Sequence, residues 1–589
     1  MAPQRLFDIL DFQAKNQGQQ DCLGNKSSNK WNTYSYQVVQ QKANELSLAL
    51  LSANINKTDK AAIIAQSHPL WNITDFAIQQ IGAVSVPIYP TITVEEMKYI
   101  FEDAQIKIVF VGDKMLYNKV KEVTLNQPWI RIISFEAIEN VESLSEFLKH
   151  GKSNTTDLSA IKSQIDTNDL VTLIYTSGTT GKPKGVMLSH ANLLSNVTAC
   201  SPLLPLQNGD TTLSFLPLSH VFERMLIYLY MNAGVTIFYA ESLDKIGDNL
   251  KELKPDFFTC VPRLLEKVYD KIYAKGKALT GIKKKLFFWS LKVGFDFQLG
   301  QNQGFVYNLK LAIARKLVFS KWQEGLGGNI KGIVSGSAPL QSRLATIFWA
   351  AGIPIMEGYG LTETSPVISV NHCDPKKTKI GTVGPLLSNV EVKIATDGEI
   401  LVKGPNVMLG YFNKPEATAE TIIDGWFHTG DIGELDEDQF LKITDRKKNQ
   451  FKTSGGKYIY PSIMENTFKA SIYIEQIMIT GEAKRFPGAL IVPNRDNVLK
   501  YLTSNNLSFK GENIAENQEV INLIQREIDK YNTSFAKYAT VKQFKLLNNE
   551  WTIEGGELTP TLKNKRKVIQ EKYKEVIEQM YAYEGRIAE

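Results

Sequence analysis

The sequence predicts an α/β chain of more than one domain, and three observations carry that reading. From about residue 34 to 112, and again from about 185 to 375, short apolar strands alternate with helical stretches. That rhythm means βαβ units and parallel sheets covered by helices on both faces. After about residue 375 paired strands replace it. The 589 residues also exceed what a single hydrophobic core usually holds. The expected architecture is a large N-terminal domain over residues 1–446 and a small, mobile α+β domain over 447–589. Two doubly wound α/β subdomains fill the large domain to about residue 375, and a β-rich subdomain spans about 376–445.

In chain order, YSYQVVQQKANELSLALLSAN (34–54) carries apolar residues at helical spacing, and AAIIAQ (61–66) reads as a strand. A helix around residues 71–81, the strand VSVPIY (84–89), the helix VEEMKYIFEDA (94–104) and the strand KIVFVG (107–112) continue the alternation. The polar stretch 151–168 is a surface connection before a strand at 170–175. Further on, VEVKIATDGEILVKG (390–404) reads as two strands joined at Asp397-Gly398, a hairpin signal. Residues 426–429 and FLKITD (440–445) extend that β-rich part. Short strands (EQIMITG, ALIVP) then mix with charged helices such as ENQEVINLIQREIDKY (516–531).

Bulk composition narrows the function classes. A net charge of +5 suits an anionic ligand or a weak membrane-surface attraction, and is too mild for nucleic acid. The N-terminus lacks the apolar core of a signal peptide. The apolar stretch 226–240 is too short to span a bilayer. Cys22, Cys200, Cys260 and Cys373 are scattered, and the six histidines are dispersed. Disulfides and a protein-held zinc are therefore not expected, and a reducing cytoplasm is the expected compartment.

The chemistry concentrates in LVTLIYTSGTTGKPKGVMLSH (170–190). Gly178 and Gly181 let the backbone approach a ligand closely. Thr176, Ser177, Thr179 and Thr180 offer hydroxyl donors, and Lys182 and Lys184 offer charge. Such a loop suits phosphate oxygens. It is not a Walker A loop, because Pro183 follows Lys182 and VMLSH reads as a second strand. The bland alternative is a solvated Gly/Ser turn, which the whole string disfavours.

YTSGTTGKPKG (175–185) resembles the phosphate-loop signature of the acyl-adenylate-forming superfamily, which includes acyl-CoA synthetases, firefly-type luciferases and peptide-synthetase adenylation domains. The further motifs follow in the family's order: LPLSHVFER (216–224), SGSAPL (335–340), EGYGLTET (357–364), GWFHTGD (425–431), ITDRKK (443–448) and TPTLKNKR (559–566). "HVFER" and the long middle region 276–330 resemble the long-chain fatty acyl-CoA synthetase branch.

The resemblance implies a long-chain fatty acid–CoA ligase with ATP and coenzyme A as co-substrates and Mg²⁺ as cofactor. It implies that Glu363 binds Mg²⁺ with Thr176, and that Thr362 and Lys184 act at the phosphates. Glu357, Gly358, Tyr359 and Gly360 would face the adenine from one side, and Gly336, Ser337, Ala338 and Pro339 from the other. Asp431 and Arg446 would hold the ribose, and Lys563 would reach the α-phosphate and the carboxylate. His220 would line the acyl entrance, Gly455, Gly456 and Lys457 would meet coenzyme A, and Lys448 falls at the family's hinge. One departure is Leu562, where relatives often carry Gly before the catalytic lysine.

In isolation several of these residues have plainer readings. Glu363 could be a loop carboxylate, Asp431 a turn former, Lys563 part of a solvated basic face and His220 a satisfied interior histidine. Rival functions are a fatty acyl-AMP ligase loading a carrier protein, and a non-catalytic acyl- or nucleotide-binding relative. Retention of Lys563, Glu363 and Asp431 speaks against the latter. Over residues 282–297, Ile282, Leu286, Trp289, Val293 and Phe297 form one apolar stripe at helical spacing. A helix packed on its own domain is the preferred reading there; peripheral membrane contact is the alternative.

Overall fold

The computed structural model describes residues 3–176, 182–507, 513–553, 555–559 and 563–582. The chain divides into two compact units. The larger comprises Met1–Lys393, Leu401–Thr429 and Leu435–Leu441; the smaller comprises Ile394–Ile400, Gly430–Glu434 and Lys442–Glu589.

Two sheets build the larger unit. A seven-stranded sheet runs Gly410–Tyr411, Lys184–Ser189, Leu170–Thr176, Val84–Pro87, Lys60–Ile64, Ile106–Val111, Arg131–Ser134 in space. The five strands from Leu170–Thr176 to Arg131–Ser134 pair in parallel, and the other two add antiparallel edges. An eight-stranded sheet contains the parallel strands Ile355–Gly360, Gly332–Ser335, Phe257–Cys260, Thr211–Ser214, Thr236–Tyr239 and Asp21–Ser27, closed at its edges by antiparallel Val367–Val370 and Lys30–Ser35. Parallel strands covered on both faces are buried without alternation, and Lys60–Ile64, Val84–Pro87 and Phe257–Cys260 are buried almost throughout, Ser85 and Thr259 included.

The helix Pro69–Gln80 touches strands of both sheets and is buried on nearly every side, its polar residues Asn72, Thr74, Asp75, Gln79 and Gln80 included. The helix Val221–Asn232 is buried in the same way along its first eleven residues. This burial forces a polar solution inside the core. The Arg224 guanidinium donates to Asp75 through Nη2 at 2.6 Å and Nε at 3.2 Å, and to Thr172 Oγ1 at 2.7 Å. The Tyr228 hydroxyl and Gln79 Nε2 also donate to the Asp75 carboxylate. The arginine of "HVFER" thus joins Val221–Asn232 to Pro69–Gln80 and to the strand Leu170–Thr176.

A five-stranded sheet contains Glu391–Ile394, Glu399–Lys403, Trp426–Leu435, Ile422–Ile423 and Leu441–Arg446. The Asp397-Gly398 turn sits between its first two strands with Gly398 at φ 85°, and Ala395 N–H donates to Glu399 O at 2.8 Å. In the smaller unit, Ile474–Thr480, Gly488–Pro493 and Gln543–Leu546 form a three-stranded sheet. The helices Pro461–Phe468, Arg495–Ser504 and Gln518–Asn532 contribute their apolar sides to one core with this sheet.

The helix Gly281–Phe295 packs on its own domain as expected: Val293 is buried in the core, and Leu286, Trp289 and Phe297 pack against it. Of the expected stripe only Ile282, 84% exposed, stays out. The helix also buries Phe287, Ser290, Leu291 and Gly294. Tertiary neighbours set this face. A Cβ at Gly276 would fall 2.0 Å from the Phe287 ring, and one at Gly294 2.3 Å from Ile347. The Phe287 ring thus seats on Gly276 of the preceding helix, and Ile347 seats on Gly294, which widens the buried face beyond the stripe. All four cysteines are free thiols, and among the described residues no helix is long and apolar enough to cross a membrane.

Candidate active site

The strands Leu170–Thr176 and Lys184–Ser189 pair antiparallel, with Thr176 opposite Lys184. They form the strand–loop–strand element expected from the sequence. Ser177, Gly178, Thr179, Thr180 and Gly181 lie outside the described residues. At the loop's exit, the Lys182 ammonium stands 5.1 Å from the centre of the Tyr99 ring, and that of Lys184 4.6 Å from the centre of Tyr411.

The strand Ile355–Gly360 lies parallel to Gly332–Ser335, with Ser335 opposite Glu357, which brings "SGSAPL" and "EGYGLTET" to neighbouring strand ends. Gly336 accepts the edge of Phe222, since a Cβ there would lie 2.8 Å from the ring, and Ser337 adopts a left-handed φ of 68°. Ala338 and Pro339 are exposed. Glu357 is buried, and loss of hydration pushes its carboxyl up to about 8 despite a hydrogen bond from the Leu340 N–H. Gly358 and Tyr359, both half-buried, pair with Val370 and Ser369. Gly360 has no room for a side chain, because a Cβ would meet Pro366 O at 1.7 Å.

That tight return presents the turn Thr362–Thr364. Thr364 is buried and donates to Pro366 O at 2.5 Å, while Thr362 and Glu363 stay half-exposed. The Glu363 carbonyl accepts from Met408 N–H at 2.9 Å, and its carboxylate Oε1 accepts from the Tyr411 hydroxyl at 2.9 Å. Sequence reasoning missed Tyr411. Nothing in GYFNKPEAT marks it; the register Tyr411↔Val186 at the sheet edge brings it beside the loop strands.

His220 caps the helix Val221–Asn232, its Nδ1 accepting the Phe222 N–H at 3.2 Å. Next to it, Glu223 is fully buried, and burial raises its carboxyl to about 8 while the Ser214 hydroxyl donates to it.

The smaller unit gathers a second group. Asp431 is buried and pairs with Arg446 Nε at 3.1 Å. Lys563 immediately precedes a stretch fastened to the strand Ile474–Thr480, where Asn564 Nδ2 donates to Ile477 O at 3.1 Å and Arg566 Nη1 to Ile479 O at 2.9 Å. Although Lys563 as a residue is exposed, crowding of its ammonium, and then the Arg446 charge, lower its pKa to about 8, with Asp431 opposing. Lys447 binds Asp397 at 2.6 Å and Glu399 at 2.9 Å, whereas the next residue, Lys448, lies exposed in a turn. Gly455, Gly456 and Lys457 occupy the turn between Phe451–Lys452 and Tyr458–Ile459, with Gly456 at φ 73° and Thr453 N–H donating to Lys457 O at 3.0 Å. No group of three or more His, Cys, Asp or Glu that could hold a metal occurs among the described residues.

Comparison with known proteins adds family context. Residues 10–412 match the AMP-binding enzyme family and residues 448–585 the AMP-binding enzyme C-terminal domain. The chain is 34% identical over 542 residues to the long-chain-fatty-acid–CoA ligase FadD15 of Mycobacterium tuberculosis, covering 91% of this chain and 90% of that protein. It is 32% identical over 597 residues to fatty acyl-CoA synthetase A of Dictyostelium discoideum, covering 95% and 87% respectively. Among solved structures it is similar to the adenylation domain of a carboxylate reductase from Mycobacterium chelonae, with a TM-score of 0.78 at 21% identity over 98% of this chain and 91% of that one. A Mycobacterium tuberculosis fatty acyl CoA synthetase follows the same fold with a TM-score of 0.63 at 20% identity, covering 97% and 98%.

Proposed function

The chain belongs to the AMP-binding enzyme family, and from that premise we infer that it is an AMP-forming long-chain fatty acid–CoA ligase. One observation carries this reading. The identity to FadD15 extends over nine-tenths of both chains, so it spans the parts needed for activation and for thioester formation alike.

The reaction has two halves. The fatty acid carboxylate attacks the α-phosphorus of ATP; the bond to pyrophosphate breaks and acyl-AMP forms. The coenzyme A thiol then attacks the acyl carbon, AMP leaves with the bonding electrons, and the thiol proton passes to solvent. A carboxylate is already ionised at neutral pH, so the first half needs charge cancellation and positioning rather than a general base. In this proposal Thr176, Lys182 and Lys184, with Ser177, Gly178, Thr179, Thr180 and Gly181, hold phosphate oxygens, and Thr362 lies at the α-phosphate. Glu357, Gly358, Tyr359, Gly360 and the segment 336–339 receive adenine. Asp431 and Arg446 hold the ribose, Lys563 supplies the cation for adenylation, His220 borders the acyl chain, and Gly455, Gly456 and Lys457 meet coenzyme A.

The donor set suits Mg²⁺. Glu363 is a half-exposed carboxylate with one oxygen engaged by Tyr411, and no cluster of further protein ligands surrounds it among the described residues. A hard cation held by one carboxylate, the Thr176 hydroxyl and nucleotide oxygens fits that poverty of ligands. When bound, magnesium supplies positive charge against the triphosphate. Peripheral contact with a membrane belongs to the same reading, as the source of an insoluble acid.

The test is fatty-acid-dependent exchange of pyrophosphate into ATP, followed by acyl-CoA formation with release of AMP. Exchange without any transfer to coenzyme A, but with transfer to a carrier protein's phosphopantetheine, would replace this reading by the acyl-AMP ligase one.

A further inference from the structure

The helix Phe305–Ala314, continued by the wider turn Arg315–Phe319, wears its apolar face outward. Its inner side is moored: Leu311, Ala314, Val318 and Phe319 are buried, the Tyr307 hydroxyl donates to Val293 O at 2.8 Å, and Arg315 Nε donates to Ala350 O at 2.8 Å. On the opposite side Phe305 is 81% exposed, Val306 66%, Leu309 51%, Ile313 40% and Leu317 47%. A surface helix ordinarily turns a polar face to water. Single exposed apolar residues need no explanation, but five on one face of one helix mark an interaction surface.

Charge identifies what meets it. Residues 275–321 hold ten Lys or Arg and a single acid, Asp296, a net +9 in a chain whose total is +5. The rest of the molecule is therefore net negative. Lys310 and Lys316 are exposed on the apolar helix itself. Lys283, Lys284 and Lys285 are exposed on the first turn of the neighbouring helix Gly281–Phe295, beside the exposed Ile282. A second copy docking through the same face would set this positive charge against itself. Large apolar side chains flanked by lysines are what an interfacial helix needs to enter the acyl boundary while its cations meet phosphate headgroups.

We propose that the face of Phe305, Val306, Leu309, Ile313 and Leu317, with its flanking lysines, docks this protein on the surface of an anionic phospholipid bilayer. The docking stands on the surface alone; its purpose, access to a membrane-dissolved fatty acid, rests on the ligase reading.

The experiment is flotation of the full chain, without substrate, with vesicles of phosphatidylcholine alone and of phosphatidylcholine mixed with phosphatidylglycerol. The wild type is expected to float with the mixed vesicles, and to do so less as salt rises. Phe305→Glu combined with Leu309→Glu should lower the partition coefficient at least about tenfold. Lys283→Ala, Lys284→Ala and Lys285→Ala together should lower it by roughly fivefold per lysine on mixed vesicles only. Both variants should retain the wild-type melting temperature and wild-type activity on a detergent-dispersed long-chain acid, which needs no membrane, and so show an intact fold. Absence of flotation with either vesicle, flotation of active variants at the wild-type level, or a wild-type dimer that Leu309→Glu splits while flotation is unchanged would each overturn the proposal. Flotation that responds to the substitutions in a protein with no ligase activity would sustain the docking and sink the ligase reading.

Discussion

The Tyr411 hydroxyl donates to Glu363 Oε1 at 2.9 Å, and the Lys184 ammonium stands 4.6 Å from the centre of the same ring. One aromatic side chain thus orients the proposed magnesium carboxylate and stacks with a proposed phosphate cation. Burial, and then the Glu363 charge, push the tyrosine's pKa up, so it remains a donor across the working pH range. Tyr411→Phe keeps the ring under Lys184 and removes only the hydroxyl. Losing a hydrogen bond to a charged group costs about 1.5–3 kcal/mol, which predicts roughly a tenfold or greater loss in kcat/KM for ATP in pyrophosphate exchange. The loss should shrink as magnesium is raised, with the melting temperature unchanged. A variant with wild-type magnesium dependence would show that Tyr411 does not orient this carboxylate.

The buried Arg224–Asp75 pair is a matter of stability rather than chemistry. Arg224→Ala leaves an unpaired carboxylate at a site only 1% exposed, and breaking a buried pair in this way costs about 3–5 kcal/mol. Arg224→Met combined with Asp75→Leu removes both charges and should recover most of that loss. Guanidinium melts of the larger unit's transition provide the measurement. If Arg224→Ala melts like the wild type, the pair contributes nothing to the fold.

Lys563 links structure to pH. With its pKa lowered to about 8, the ammonium is charged below that value and neutral above it. Adenylation, which uses the cation, should therefore fall as pH rises through about 8. Asp431 raises this pKa and Arg446 lowers it. Asp431→Asn should accordingly move the alkaline limb to lower pH, and Arg446→Gln should move it to higher pH, apart from any loss of nucleotide affinity. Limbs that stay in place in both variants would assign the titration to another group. Stability carries the opposite sign. A lysine whose folded pKa lies below its unfolded value binds fewer protons in the folded state, so its destabilising contribution is present below about 8 and is relieved as pH rises toward the ordinary lysine range.

Much of this was legible in the chain. The apolar runs that became parallel strands need no partner to be recognised, because burial on both faces writes itself as continuous hydropathy. The strand–loop–strand about 176–184 and the Asp397-Gly398 turn are equally local signals. Relationships set by distant chain segments were hidden. Arg224 meets Asp75 across 149 residues and Tyr411 meets Glu363 across 48, and neither pairing leaves a trace in periodicity. The helix Gly281–Phe295 shows both sides of this: its spacing found Leu286, Trp289, Val293 and Phe297, which pack in the core. It did not show that Ile282 stays exposed, or that docking at Gly276 and Gly294 adds Phe287 and its neighbours to the buried face. The outward-facing apolar side of Phe305–Ala314 was likewise invisible, since hydropathy reports that a face is apolar and not which way it points.

The last prediction concerns Lys448. Its neighbours are tied. The Lys447 ammonium binds Asp397 and Glu399 at 2.6 and 2.9 Å, and its N–H donates to Gly430 O at 2.8 Å. The N–H groups of Asn449 and Gln450 both donate to Arg446 O, at 2.9 and 3.2 Å. Lys448 is exposed between them, so its dihedrals can change without uncovering a core. The two half-reactions draw on different parts of the chain that follows, Lys563 for adenylation and Gly455, Gly456 and Lys457 for coenzyme A. A backbone pivot preceding both is the simplest means of using each in turn. Proline at 448 would lock φ near about −65° and restrict Lys447 as well. Lys448→Pro is therefore expected to keep fatty-acid-dependent pyrophosphate exchange and to lose at least about tenfold in thioester formation from supplied acyl-AMP. Lys448→Ala, which leaves φ free, should keep both. If the proline variant remains folded and loses both activities together, or loses neither, the pivot does not lie at Lys448.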